Sequence, residues 1–213
     1  MEKENLDPIE DLKNIRNMME RSSKFLSLSG LSGIFAGGIA LAGAYIANFL
    51  INQFNDLYTK NVLLGKIDEA YDALSIQLLL TAIIVFFSAI GLGLLFTYIK
   101  AKRNQQKLNH PIAFKVLWSG MIPLLFGGLF TIILYVNNAQ NLIGSATLVF
   151  YGLALLNASK YLNIEIKYLA ISELILGILA GIYIQESLLF WAIGFGILHI
   201  FYGAIMYFKY DRQ

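Results

Sequence analysis

Six stretches of this sequence are long enough, wound as helices, to cross a lipid bilayer: residues 25–51, 73–99, 116–136, 139–159, 168–184 and 187–208. Hydrocarbon about 30 Å thick is spanned by roughly 17–25 apolar residues in helical form. The first four runs contain no charged residue, the fifth holds one acid, Glu173, and the sixth one histidine, His199. Helix is the form expected of them all, because an open strand would leave backbone donors unpaired in lipid and the runs lack a barrel's alternation. Composition agrees. Hydrophobic residues make up 57% of the 213 and charged residues 14%, against about 45–50% and 25% in ordinary soluble domains. The fold class expected is therefore all-α: a polytopic transmembrane bundle of six spans over residues 25–208, with a segment 1–24 before it and a tail 209–213 after it.

Lys and Arg orient the spans. Of the 16 in the chain, all but Lys60 and Lys66 fall before the first run, between the second and third, between the fourth and fifth, or after the sixth. Cytoplasmic loops carry the excess of positive charge, so both termini are expected in the cytoplasm. The first 24 residues are charged and the first run is longer than a signal h-region, so that span is expected to remain in the mature protein. Residues 8–22, with Ile9, Leu12, Ile15 and Met19 on one face, read as an amphipathic helix on the inner leaflet. Residues 52–72 form the one sizeable outer connection, and Leu57, Val62, Leu63, Leu64 and Ile67 predict a short interfacial helix there.

The odd-numbered spans share a loose pattern near their cytoplasmic ends: "LSGIFAGG", "WSGMIPLLFGG" and "ISELILGILAG". "FYG" recurs at residues 150–152 and 201–203. Three αα-hairpins built on one repeated unit are one reading of this; recurrence of small residues at helix contacts is the other. Under the first, Glu173 stands where Gly33 and Gly120 stand in the other units.

Glu173 and His199 are the residues most in need of explanation. Residues 185–187 are the turn between the last two runs, and Glu173 lies 12 residues before it and His199 13 after Glu186. At 1.5 Å per residue both sit about 18–20 Å from that turn. Glu173, Gly177, Ala180 and Gly181 share one helix face, and Ala192, Gly196, His199 and Gly203 another. A Glu–His hydrogen bond across the hairpin is expected, with Tyr202 or Asn157 as a third partner, since an unpaired carboxylate in hydrocarbon costs roughly 2.5–3.5 kcal/mol or more. Such a pair serves either a titrating or cation-binding site or a structural bond that fixes the hairpin.

Other chemistry is thinly represented. The chain has no cysteine, which excludes disulfides and thiolate ligands. Glu173 and His199 alone supply two metal ligands, and His110 falls in a cytoplasmic loop. With no HExxH, Walker loop or dinucleotide fingerprint, no cofactor or metal is expected. A net charge of +2 does not call for nucleic acid. "GLSG" at residues 30–33 is similar to the GxSG serine motif of rhomboid proteases, and His199 followed by Gly203 to that family's histidine spacing. That family carries its serine on the fourth span and further polar residues on the second, neither of which is found here, so no enzyme is expected.

With "ERSSKFLSLSGLSGIFAGGIAL" at one end and "GFGILHIFYGAIMYFKYDR" at the other, the chain resembles a family of Bacteroidetes inner-membrane proteins of about six spans. That resemblance brings no activity, cofactor or site residue with it. "LGILAGIY…FGILHIFYGAIMY" is similar to the two-helix repeat of the HdeD-like acid-stress membrane proteins. Together these readings lead us to expect a non-enzymatic inner-membrane protein of interaction, sensing or stress response, partnered by lipid and by a second copy or another membrane protein. The alternative is a small-solute or proton-coupled transporter using Glu173 and His199. Reporter fusions after Asp72 and after Gln213 test the topology: the first should report the outer side and the second the cytoplasm, and an external C-terminus would overturn the six-span reading.

Overall fold

The computed structural model describes residues 29–103 and 111–212. The expected amphipathic helix over residues 8–22 and His110 lie outside the described residues. Every regular element among the described residues is helical: α1 (Gly30–Leu63), α2 (Ile67–Arg103), α3 (Pro111–Val136), α4 (Ile143–Ala158), α5 (Ile164–Ile182), α6 (Ser187–Trp191) and α7 (His199–Met206). A π-helical stretch, Ala192–Leu198, joins α6 to α7, and a second, Tyr207–Asp211, ends the rod they form. Five helical stretches are long and apolar enough to cross a membrane: α1, Ile67–Lys100, Ala113–Val136, Gln140–Tyr161 and Ile184–Asp211. The remaining helix, α5, is 19 residues long and carries Glu165, Lys167 and Glu173, more charge than a span of that length usually tolerates.

The outer connection differs from expectation. Instead of a separate interfacial helix, α1 continues without a break for 34 residues, about 51 Å at 1.5 Å per residue, and α2 begins at Ile67. Only Leu64, Gly65 and Lys66 turn the chain. Gly65 takes a φ of +67°, a conformation in which a side chain would collide with its own backbone. Propensity explains the continuation: residues 52–63 contain neither Gly nor Pro, so nothing stops a helix already nucleated in the membrane.

The helices pack in a row. α2 lies on α1, α1 on the last rod, the rod on α5 and the start of α4, α5 on α4, and α4 on α3. α5 packs more extensively on α4 than on its own hairpin partner, so the two faces named from sequence meet different neighbours. A Cβ on Gly177 would press on Val149 and Leu148 of α4, and one on Gly203 on backbone atoms of Gly30 and Ile34 in α1. Glycine is required where α1 meets the last rod, because the two backbones touch there. A Cβ on Gly37 would lie 2.6 Å from the Gly196 carbonyl, and one on Gly203 2.6 Å from the Ile34 nitrogen.

Two carboxylates fasten the end of the rod. Asp211 Oδ2 accepts from the Gly30 N–H at 2.7 Å and the Ser29 hydroxyl at 3.2 Å. Its Oδ1 pairs with Lys100 Nζ at 2.7 Å. A carboxylate at a helix start meets unsatisfied N–H groups and the positive end of the helix dipole, so Asp211 caps α1 from the far end of the chain. Glu165, in the first turn of α5, pairs with Lys209 and accepts from the Tyr210 hydroxyl at 3.0 Å. Partial burial opposes its charge, but the bonds from Lys209 and Tyr210 and its own backbone outweigh that and hold its carboxyl below the ordinary range.

Gly203→Ala is expected to destabilise the protein by about 1–3 kcal/mol, the cost of forcing atoms into a packed contact. Gly38→Ala, whose Cβ would meet nothing within 4 Å, should leave it unchanged. Thermal unfolding in detergent micelles measures both, and equal melting temperatures would mean that the α1 contact is not tight.

Candidate functional site

Glu173 projects from the middle of α5 into the interior and has no exposed surface. His199 begins α7 and is buried too, at 7% exposure. Their approach, 3.4 Å between Glu173 Oε1 and His199 Nδ1, follows from the equal depth that the sequence places them at. His199 follows directly on the π-helical stretch. Its backbone N–H bonds to the Gly196 carbonyl, three residues back, while Nδ1 lies 2.9 Å from the carbonyl of Gly194, five residues back. Gly194 admits the carboxyl: a Cβ there would stand 2.5 Å from Glu173 Oε2 and 2.6 Å from a Leu148 methyl.

The expected Glu173–His199 hydrogen bond is absent, and the reason lies in the ring. A carbonyl only accepts, so Nδ1 must carry the hydrogen that it directs at Gly194. Nδ1 then has no lone pair to receive a proton from Glu173. In the neutral ring Nε2 is the acceptor, and it lies 2.8 Å from the Tyr151 hydroxyl, which donates to it. Both Glu173 oxygens are buried without a hydrogen-bond partner among the described residues. The carboxyl thus stands beside the imidazole at 3.4 Å, with no hydrogen-bond partner among the described residues.

Neither proposed third partner belongs to this cluster. The Asn157 amide donates to the Ser119 carbonyl at 2.8 Å and accepts from Lys160 at 3.1 Å, tying α4 to α3. Tyr202 packs against Ala158, Leu162 and Ile166, and its buried hydroxyl has no partner among the described residues. Tyr151 takes their place. Its position was a readable signal: near the middle of a span, away from the interface where membrane tyrosines collect, a phenol needs an internal partner. Around it the rings of Phe195 and His199 stack 5.9 Å apart, with Tyr151 4.9 Å and Trp191 4.9 Å from Phe195.

The serine of "GLSG" is engaged elsewhere: the Ser32 hydroxyl donates to the Ser29 carbonyl, while both His199 nitrogens face Gly194 and Tyr151. Among the described residues no group of three His, Asp or Glu side chains could hold a metal ion. A cavity of about 220 Å³ lies between α3 and α4, lined by Phe130, Leu134, Val149 and Phe150 among others, and is separate from the cluster. Comparison with models of known protein families, with curated proteins and with solved structures finds no match.

Tyr151→Phe keeps the ring stack and strips Nε2 of its donor. It should cost about 0.6–1.7 kcal/mol, the range measured for hydrogen bonds between membrane helices. Tyr202→Phe, which removes an unbonded hydroxyl, should cost nothing. Thermal unfolding of the two variants compares them, and equal losses would mean that the Tyr151 bond does not contribute.

Proposed function

We propose that this is a non-enzymatic, proton-responsive protein of a bacterial inner membrane, with six spans and both termini in the cytoplasm, in which Glu173, His199 and Tyr151 form the responsive element. One observation carries the reading: a carboxyl fully buried at membrane depth, 3.4 Å from an imidazole and without a hydrogen-bond partner among the described residues. A carboxyl retained for structure would be satisfied by hydrogen bonds, because a buried polar group without them costs about 1–3 kcal/mol. Ionisable groups inside membranes are by default sites of function. The uncharged acid is the cheaper form of Glu173 in this surrounding, and the neutral ring the form that its hydrogen bonds describe.

Protonation of His199 has a defined structural consequence. Its new hydrogen sits on Nε2, so the Tyr151 hydroxyl must turn from donor to acceptor. The imidazolium then draws the adjacent Glu173 toward its ionised form. The two changes reinforce one another and alter the contact between α4, α5 and the last rod together. Packing supports sensing over transport: a Cβ on Gly194 would lie 2.5 Å from the Glu173 carboxyl and 2.6 Å from a Leu148 methyl, and the cavity between α3 and α4 is lined mainly by apolar side chains. The similarity of the last hairpin to acid-stress repeats points the same way, as does a third hairpin that bears Glu173 where related units would bear glycine.

Two variants test this. Glu173→Gln should fold normally and lose the pH dependence of melting expected of the wild type between about pH 5 and pH 8, the range in which imidazoles titrate. Glu173→Leu, which removes an unsatisfied group and preserves volume, should be at least as stable as the wild type and equally insensitive to pH. Infrared spectra should show a protonated carboxyl band at neutral pH that both variants lack. A Glu173→Gln protein with the wild-type pH response would overturn the proposal, and so would a marked loss of stability in Glu173→Leu.

A further inference from the structure

α2 occupies one end of the row and packs chiefly on α1. Beside that contact runs a second face with 4-3 spacing: Gln77, Thr81, Ile84, Ser88, Gly91 and Leu95. This is the heptad period that keeps one seam in register along two supercoiled helices. Gln77, Ser88 and Gly91 are exposed, and so are Ile84 and Leu95, at 64% and 48%. A Cβ on Gly91 would meet nothing within 4 Å, so there is room for a second backbone.

Spacing alone would not distinguish this face from one turned to lipid. Its polar groups do. Between Asp72 and Lys100 the span is centred near residue 86, which places Ser88 about 3 Å and Gln77 about 13 Å from the midplane, both inside the roughly 15 Å half-thickness of hydrocarbon. Neither side chain makes a hydrogen bond among the described residues; the Thr81 hydroxyl bonds to the Gln77 backbone carbonyl, not to its amide. Acyl chains offer no partner, whereas an apposed helix with the same residues does. An amide carries donor and acceptor together, so Gln77 is complementary to Gln77 of a second copy across a two-fold axis, as an isologous interface requires. A partner with a different sequence would need its own matching amide at that depth.

We propose that this face of α2 is the contact surface of a parallel homodimer, two copies of α2 packing as a left-handed pair about a two-fold axis along the membrane normal. The absence of native cysteine makes the test direct. Single variants Gln77→Cys, Ile84→Cys and Ser88→Cys, oxidised in the membranes of the expressing cells, should each give a disulfide-linked dimer of the full chain. Phe87→Cys and Leu94→Cys, exposed on the neighbouring face at 66% and 67%, should remain monomeric. In lipid nanodiscs the wild type should have the mass of a dimer. Gln77→Leu combined with Ser88→Leu should have that of a monomer while melting as a folded protein. Cross-linking at Phe87→Cys and Leu94→Cys equal to that on the stripe would overturn the proposal, as would stripe variants that stay monomeric, link to a chain of another size, or a wild type of monomer mass.

Discussion

The backbone contact between α1 and the last rod is the constraint on which the rest of the structure depends. The two helices come from opposite ends of the chain. They approach so closely at Gly30, Gly37, Gly196 and Gly203 that a single Cβ at any of them would overlap its neighbour. In lipid there is no hydrophobic force to press helices together, and close packing supplies the attraction instead. Once α1 and the rod are joined, Asp211 lies at the start of α1 and caps it, and Lys100 of α2 is drawn to the same carboxylate. The rod's other face is left to α5 and α4, where it places His199 against Glu173 and Tyr151.

At that site the fold accepts an unfavourable group. Other polar groups between the helices are closed by short bonds: Ser145 to the Gly177 carbonyl at 2.6 Å, Asn157 to Ser119, Tyr151 to His199, although the hydroxyls of Tyr202 and Ser187 are also buried without a partner among the described residues. Glu173 is the exception among the buried acids, since even Glu165 and Asp211 hold cations. Replacing a buried charged or polar group by an apolar one of similar shape is commonly neutral or stabilising. The fold would therefore gain by losing Glu173. A group without hydrogen bonds can change charge without first breaking any, which is why we propose titration as the reason for its presence.

Most of the architecture was legible in the sequence because the membrane writes it in one letter class. Runs of apolar residues mark helices, and the depth of Glu173 and His199 followed from counting residues to a shared turn. Three features escaped. The extension of α1 to Leu63 was hidden because the apolar run ends at Ile51, and helix continuation past that point depends on the lack of breakers rather than on hydropathy. The π-helical turn at Ala192–Leu198 is a compromise among three neighbours, with no local sequence code. The partner of His199 was misassigned because helix faces were compared within one hairpin, whereas α5 packs mainly on α4, which brings Tyr151 to the ring and leaves Asn157 on the α3 side. A phenol at mid-span was the available sign.

The row of helices also links the Glu173–His199–Tyr151 cluster to the edge of the molecule by direct contact. His199 opens α7, and four residues on Gly203 lies against the α1 backbone. Eight further on, Asp211 grips both Gly30 and Lys100. Both π-helical stretches fall on this rod, one before His199 and one around the clasp, and π turns are where a helix can change register with least disruption. A short, tightly packed segment therefore connects the ring of His199 at one end of α7 to the carboxylate that holds the Lys100 end of α2. Among the described residues α1 is the main neighbour of α2. The Lys100–Asp211 pair thus ties α2 to the rod that bears His199.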